Sequence, residues 1–548
     1  MKRLKEPSMA ACTLHRSARV EHATAQLFDV AIVGGGIHGV CLAKLAAQCG
    51  LSVLLLERSD YASGTSSRSS KMAHGGLRYL EMFDFEQVFE GIRARESLFE
   101  RLPNLVRPER FLIPVPRGNR WLRFKLGVGL SIYDLLARSK ERKHKWQSGT
   151  PIPFNADVTP LEGCYQYSDG LMSDSRLVFE FLVAAQRSGC CALNYAAVDG
   201  VSRQADGRMA LSWNDTISSE CHVSVARLVV NCAGPWAPQL HPHSTERPLP
   251  KVRYSRGSHL VFSIPWPHPS LFLPLAEKGR YYFVWPHPSG TMVGTTEREV
   301  DALDLDPVPS ADEIEEVLAR LARDIPQAGL NRETLHYAFA GIRTLPMRSA
   351  NQGVSQLSRK HIWSLADGVL TLLGGKYTTF AWTATQGLNL VLRELQYSPE
   401  VSVDPLANLS SAISQQEHQR LCKELATRYT VSKVSVERAV GRIGGLVLQY
   451  ADNPEAWKEI APGVLMLEVL HAIECEQAQT IEDILRRRIE LESTPSHGIE
   501  VLDQIEAALS KVVSAPVLAQ QRREYLERVA RIDRLCHGQA SQQASFDS

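Results

Sequence analysis

The sequence predicts an α/β protein whose parallel sheet is assembled from separated segments, with an antiparallel β part inserted and an all-α part at the C-terminal end. Three observations predict it. An apolar run from Asp29 to Val33 leads directly into Gly34-Gly35-Gly36-Ile37-His38-Gly39. The stretch 246–340 carries alternating or apolar runs, RGSHLVFSIP, RYYFVWPH and TMVGTTE, the pattern of strands. From about residue 412 to 536, apolar residues recur at helical spacing, as in QQEHQRLCKELATRY and VLMLEVLHAIEC.

The first observation carries the most chemistry. Asp29 to Val33 reads as a buried parallel strand, His38 to Gln48 as a helix, and SVLLLE as a second strand ending in Glu57. Gly34 permits the tight turn, Gly36 lets backbone approach a pyrophosphate, and Gly39 lets helix and strand pack closely. The helix N-terminus offers unpaired N–H groups and a positive dipole to phosphates. Glu57 stands where an acid accepts ribose hydroxyls. The unit is therefore a Rossmann-type dinucleotide site. A later apolar strand, ARLVVNCAGPW, returns at Ala233-Gly234 to the same nucleotide, an arrangement that resembles FAD enzymes of the glutathione-reductase type.

Composition is that of an ordinary globular protein: 548 residues, 44% hydrophobic, 22% charged, net charge +1, which gives no expectation of nucleic acid as partner. Eleven cysteines are scattered without a CxxC pair or a Cys/His cluster at zinc spacing, so no metal is expected and reduced buried thiols are. No apolar run approaches the ~20 residues of a membrane span. Residues 1–27 are basic and polar and read as an unstructured N-terminal extension. Glu6 and Glu21 count against a transit peptide. Residues 537–548 read as a disordered tail.

After Glu57 comes RSDYASGTSSRSSKMAHGGLRYLE, an unusual crowd of hydroxyls, glycines and nitrogen-bearing side chains. This string closely resembles the FAD-dependent, aerobic, quinone-linked glycerol-3-phosphate dehydrogenase family. Further matches follow in family order at YSDGLMSDSRL, NCAGPW, RGSHLV, VGTTE, AGIRTL and LLGGKYTTF, so the resemblance runs from about Phe28 to Leu395. It implies a discontinuous FAD-binding Rossmann-type domain over 28–395, with 246–340 as its antiparallel substrate-capping part, and an all-α C-terminal domain over 412–536. Roughly 28–115, 155–245 and 340–395 would build the nucleotide domain.

The resemblance also implies roles. Gly34, Gly35, Gly36, Gly39, Glu57, Ser66, Ser67, Ser70, Gly75, Gly234, Gly374, Gly375 and Thr378 would hold FAD. Thr378 or Thr379 would cap a helix whose N–H groups face the flavin. Arg78, Arg343, Arg359 and Lys376 would grip the phosphate dianion, with Tyr79 adding a hydroxyl. His259 or His74 would take the hydroxyl proton, the assignment leaning to His259 as base and His74 beside the flavin. His74 also reads as a satisfied core histidine or as a covalent flavin attachment, and a lone Arg78 as a solvated charge. Thr344, where the family has proline, Glu297, where it has aspartate, and Arg68 in the serine loop are departures.

The implied reaction is oxidation of sn-glycerol 3-phosphate to dihydroxyacetone phosphate, with FAD as cofactor. The partners are glycerol 3-phosphate and a membrane quinone, with a homodimer a further expectation and a cytoplasmic location at the inner membrane face. Alternatives are an oxidase delivering electrons to O2, a related hydroxy-acid or amine oxidoreductase, and a flavoprotein that binds without turnover. The basic, aromatic stretch Arg117 to Trp146 reads either as a helix on an anionic peripheral membrane surface or as an internal helix followed by a basic loop.

Overall fold

A computed structural model describes residues 15–77, 84–137, 143–149, 152, 154–155, 160–241, 248–274, 281–347 and 360–538. Strand Leu27–Val33 lies between strands Glu220–Asn231 and Val53–Leu56, parallel to both. Strands Val369–Leu373 and Cys191–Leu193 extend this parallel core on either side, and Ile362–Ala366 closes one edge antiparallel. Val30, Ala31, Ile32 and Val53 to Leu56 are almost entirely buried, as a parallel sheet covered on both faces requires.

One face packs on helices Ile37–Gln48, Asp174–Arg187 and Phe380–Glu394. The other is covered by the antiparallel strands Ala196–Arg203 and Met209–Asp215. Helix Arg16–Ala25 packs there too: Arg16 Nη2 donates to Asp215 Oδ1 at 2.9 Å, and Ser224 Oγ donates to the Ala23 carbonyl at 2.7 Å. Part of the expected unstructured extension is thus a helix. Its short apolar side, Val20 and Ala23, is too brief to register as periodicity.

The second sheet has ten strands. Strands Val252–Phe262, Ser270–Pro274, Tyr281–His287, Gly290–Gly294 and Leu335–Pro346 come from the expected capping part and its end. Val106–Pro116 and Leu161–Met172, expected in the nucleotide domain, belong here instead, paired with each other over their full length. The reason is the parallel pairing of Ser270 and Leu271 with Phe111 and Leu112, a contact distant in sequence.

The C-terminal part is helical, from Gln415–Tyr429 to Ala515–His537, with a π-type segment at Asp483–Arg488 and a small hairpin of Glu459–Ala461 with Val464–Leu465. Buried ion pairs tie it to the nucleotide part. Asp60 accepts from Arg487 Nε at 2.6 Å and Arg488 Nη2 at 2.8 Å, and Arg176 pairs with Glu476 at 2.5 Å. Among the described residues, no helix is long and apolar enough to cross a membrane.

Candidate active site

A cavity of about 860 Å³ runs from the Gly34 turn to the second sheet. At its nucleotide end the backbone is shaped for close approach. Gly34 has φ +109°, and a Cβ there would stand 2.4 Å from the Cys232 carbonyl oxygen. A Cβ on Gly39 would stand 1.9 Å from the Gly34 carbonyl oxygen, so helix and turn touch through backbone. A Cβ on Gly36 would meet only Ser66, and one on Gly234 nothing within 4 Å; both positions open into the cavity.

Buried Glu57 accepts from the Gly35 N–H at 2.6 Å and the Ser59 N–H at 2.9 Å, while lining the cavity. Its carboxyl is raised by burial, against these two N–H groups, which lower it. A carboxylate keeps further acceptor sites beyond two such bonds. Ser66 Oγ accepts from the Ile37 N–H at 3.0 Å, pinning the hydroxyl-rich loop to the helix N-terminus. Glycine turns, an acid at the second strand's end and a helix N-terminus in one elongated cavity fit a dinucleotide.

The same cavity is lined by His74, His259, Arg343 and Lys376. His259 is 1% exposed, its ring stacked on Phe339 at 5.0 Å, and its Nε2 lies 2.9 Å from Ser70 Oγ. Burial, then Arg343 and Lys71, lower its pKa to about 3. Arg343 Nη2 donates to Thr295 Oγ1 at 2.9 Å. Thr378 Oγ1 accepts from the His74 N–H at 3.3 Å.

The expected residues fall into three groups. Gly34, Gly36, Glu57, Ser66, Ser70, His74, Gly234, His259, Arg343, Gly374, Gly375, Lys376 and Thr378 line this one cavity. Gly35, Gly39, Ser67 and Gly75 do not. Gly35 and Gly39 shape the turn behind the wall, and Ser67 lines a separate small cavity. Gly75 packs on Tyr133, whose Oη a Cβ would meet at 2.2 Å; its N–H donates to Asp169 Oδ1 at 2.9 Å, inside a buried cluster with Arg95. Gly76 takes the cavity-lining place instead. Arg78, Tyr79 and Arg359 lie outside the described residues.

Of the two threonines expected to cap helix Phe380–Glu394, Thr379 is the N-cap, and it makes no side-chain capping bond. The all-α part also lines the cavity, through Thr480, Asp483, Arg486 and Arg487. Thr295, within VGTTE, also belongs to the site; its contact with Arg343 spans 48 residues and leaves no local signal in the sequence.

This architecture, a nucleotide-binding sheet joined to an antiparallel sheet across one cavity, defines a flavin-dependent oxidoreductase. Residues 29–381 match the FAD dependent oxidoreductase family. The chain belongs to that family and, within it, to the FAD-dependent glycerol-3-phosphate dehydrogenases. It is 32% identical to the glycerol-3-phosphate dehydrogenase of Synechocystis sp. over 496 residues, 84% of this chain and 88% of that protein. It is 28% identical to the aerobic glycerol-3-phosphate dehydrogenase of Bacillus subtilis, over 87% of this chain and 89% of that protein. The fold matches the FAD-complexed glycerol-3-phosphate dehydrogenase of Bacillus halodurans with a TM-score of 0.72 at 21% identity, covering 95% of this chain and 97% of that one. FAD is the cofactor that the cradle of Gly34, Gly36, Gly234 and Glu57 fits.

Proposed function

We propose that this protein oxidises the secondary alcohol of sn-glycerol 3-phosphate to the ketone of dihydroxyacetone phosphate and delivers the electrons to a membrane quinone. The observation that carries the reading is that Arg343, Lys376, His259 and His74 line the same cavity as the nucleotide cradle of Gly34, Gly36 and Glu57. The names of the curated relatives support the substrate.

When bound, FAD supplies the hydride acceptor. In the cradle, Glu57 would take the ribose hydroxyls, and the backbone at Gly34, Gly36, Gly234, Gly374 and Gly375 and the Ser66, Ser70 and Thr378 hydroxyls would contact the remainder. Arg343 and Lys376 hold the substrate's phosphate dianion, so that remote binding energy becomes orientation at the alcohol carbon. His259 accepts the hydroxyl proton. It is neutral at working pH because burial and the Arg343 charge disfavour its protonated form. A phosphate dianion at Arg343 offsets that charge and raises the proton affinity of the imidazole once substrate is in place. His74, which lines the same cavity, would stand beside the flavin.

The quinone reading is supported by helix Arg120–Ala137. Trp121 is 72%, Phe124 63% and Leu135 76% exposed, flanked by Arg117, Arg120, Arg123 and Lys125. Apolar side chains beside cations suit an anionic membrane surface. Anaerobic addition of glycerol 3-phosphate to the holoenzyme tests the whole reading. The oxidised flavin band should bleach, and a soluble quinone should restore it faster than air does. Absence of bleaching refutes the substrate; fast reoxidation by air with stoichiometric hydrogen peroxide refutes the acceptor.

A further inference from the structure

Strands Val252–Phe262 and Leu335–Pro346 pair so that Ser255 faces Arg343, Gly257 faces Gly341 and His259 faces Phe339. Directly opposed residues share a face of the sheet, and alternate residues return to it. One face therefore carries the cation and the imidazole, with a pair of glycines between them. The space they leave is used twice. The Arg343 guanidinium lies back over Gly257, where a Cβ would stand 2.2 Å from Nη2, 2.6 Å from Cζ and 2.7 Å from Nη1. The cofactor loop lies over Gly341, where a Cβ would stand 2.4 Å from the Arg68 carbonyl oxygen, and Thr65 Oγ1 donates to the Ile342 carbonyl at 2.7 Å. Neither glycine has a left-handed φ, so the requirement is for room, not backbone freedom. Thr295 Oγ1 holds the guanidinium by accepting from Nη2.

We propose that Gly257 and Thr295 are positioning residues that fix the Arg343 guanidinium one strand repeat, about 7 Å, from the His259 position. They thereby set the spacing between the anionic group and the alcohol that the site accepts. The proposal rests on the reading of Arg343 as a phosphate-binding cation. A methyl group at 257 leaves the charge in the protein but drives it off its seat. Loss of the 295 hydroxyl removes the acceptor that seats Nη2 beside Gly257. Gly341 serves the other half of the notch, so its substitution loosens FAD instead of substrate.

The test compares holoenzyme variants Gly257→Ala, Thr295→Val, Arg343→Ala and Gly200→Ala. The measurements are KM for glycerol 3-phosphate, Ki for inorganic phosphate, and flavin content. Gly257→Ala and Thr295→Val should each raise KM and Ki together by about tenfold, with flavin content unchanged. Gly200→Ala, whose added Cβ meets nothing within 4 Å, should match the parent. If Arg343→Ala is weakened while both positioning variants keep parental KM and Ki, the positioning role is overturned and the phosphate reading stands. If Arg343→Ala itself is parental, the phosphate reading falls and the proposal with it. Should Gly257→Ala fail to hold flavin, Thr295→Val decides alone, and parental KM and Ki there overturn the proposal.

Discussion

Ser70 Oγ lies 2.9 Å from His259 Nε2, joining the loop after the second nucleotide strand to the centre of the antiparallel sheet. The imidazole is otherwise held by ring packing against Phe339 and Trp285. Ser70→Ala removes its hydroxyl partner and frees rotation about the ring axis. The expected result is a kcat lower by about tenfold with flavin content retained. Steady-state kinetics on the holoenzyme check it; an unchanged kcat means that packing alone orients His259.

Glu57 binds two backbone N–H groups at the mouth of the cradle. Glu57→Gln removes the charged acceptor that the bound ribose hydroxyls would use. Losing such a charge-assisted contact costs about 1.5–3 kcal/mol, so FAD affinity should fall about tenfold to a hundredfold. Titration of apoprotein with FAD, followed by flavin fluorescence, measures it. Parental affinity would place the ribose elsewhere.

The nucleotide half of the fold was legible because each part is local: strand, glycine turn, helix and acid fall within the span from Asp29 to Glu57. The resemblance singles out His259, Arg343 and Lys376, and the sheet register places the first two on one face. What could not be read depends on contacts between distant segments. Val106–Pro116 joins the antiparallel sheet through Ser270 and Leu271, and nothing in its own pattern names that partner. Arg487 and Arg488 are buried against Asp60, more than 400 residues away, a pairing that nothing local in the sequence announces. Gly75 is fixed by Asp169 and Tyr133, so its need for a small residue arises from packing and not from flavin access.

Stability should depend steeply on acid. Burial, aided by neighbouring His361 for His38, Arg343 for His259 and Lys71 for His287, lowers all three histidines from 6.5 to about 3. The unfolded chain binds these protons below pH 6.5, whereas the folded chain binds them only near 3. Their stabilisation is complete above pH 6.5 and is lost as pH falls toward 3, by at most about 4 kcal/mol per pH unit. His471 acts oppositely: against the cost of burial, Cys475 and Glu476 raise it to about 10, so its contribution is full below 6.5 and fades as pH rises. Urea unfolding midpoints should peak near neutrality and fall sharply below about pH 6. A flat profile down to about pH 4 would contradict the burial of these rings.

Trp121 and Phe124 stack on each other at 5.9 Å on the outer side of helix Arg120–Ala137 and are well exposed. Each should contribute about 1.5–3 kcal/mol on entering a bilayer surface. The double substitution Trp121→Asp and Phe124→Asp should abolish co-sedimentation with anionic phospholipid vesicles and leave dye-linked dehydrogenase activity intact. Undiminished co-sedimentation would move the membrane face elsewhere.

The central claim is that Arg343 grips a phosphate so that an alcohol carbon meets the flavin. Anaerobic stopped-flow reduction by glycerol 3-phosphate, parent against Arg343→Ala, tests it most directly. The variant should keep its flavin and require at least about tenfold more substrate for half-maximal reduction rate, the loss of a charge-assisted contact. Reduction of the variant at the parental substrate concentration and rate would contradict it.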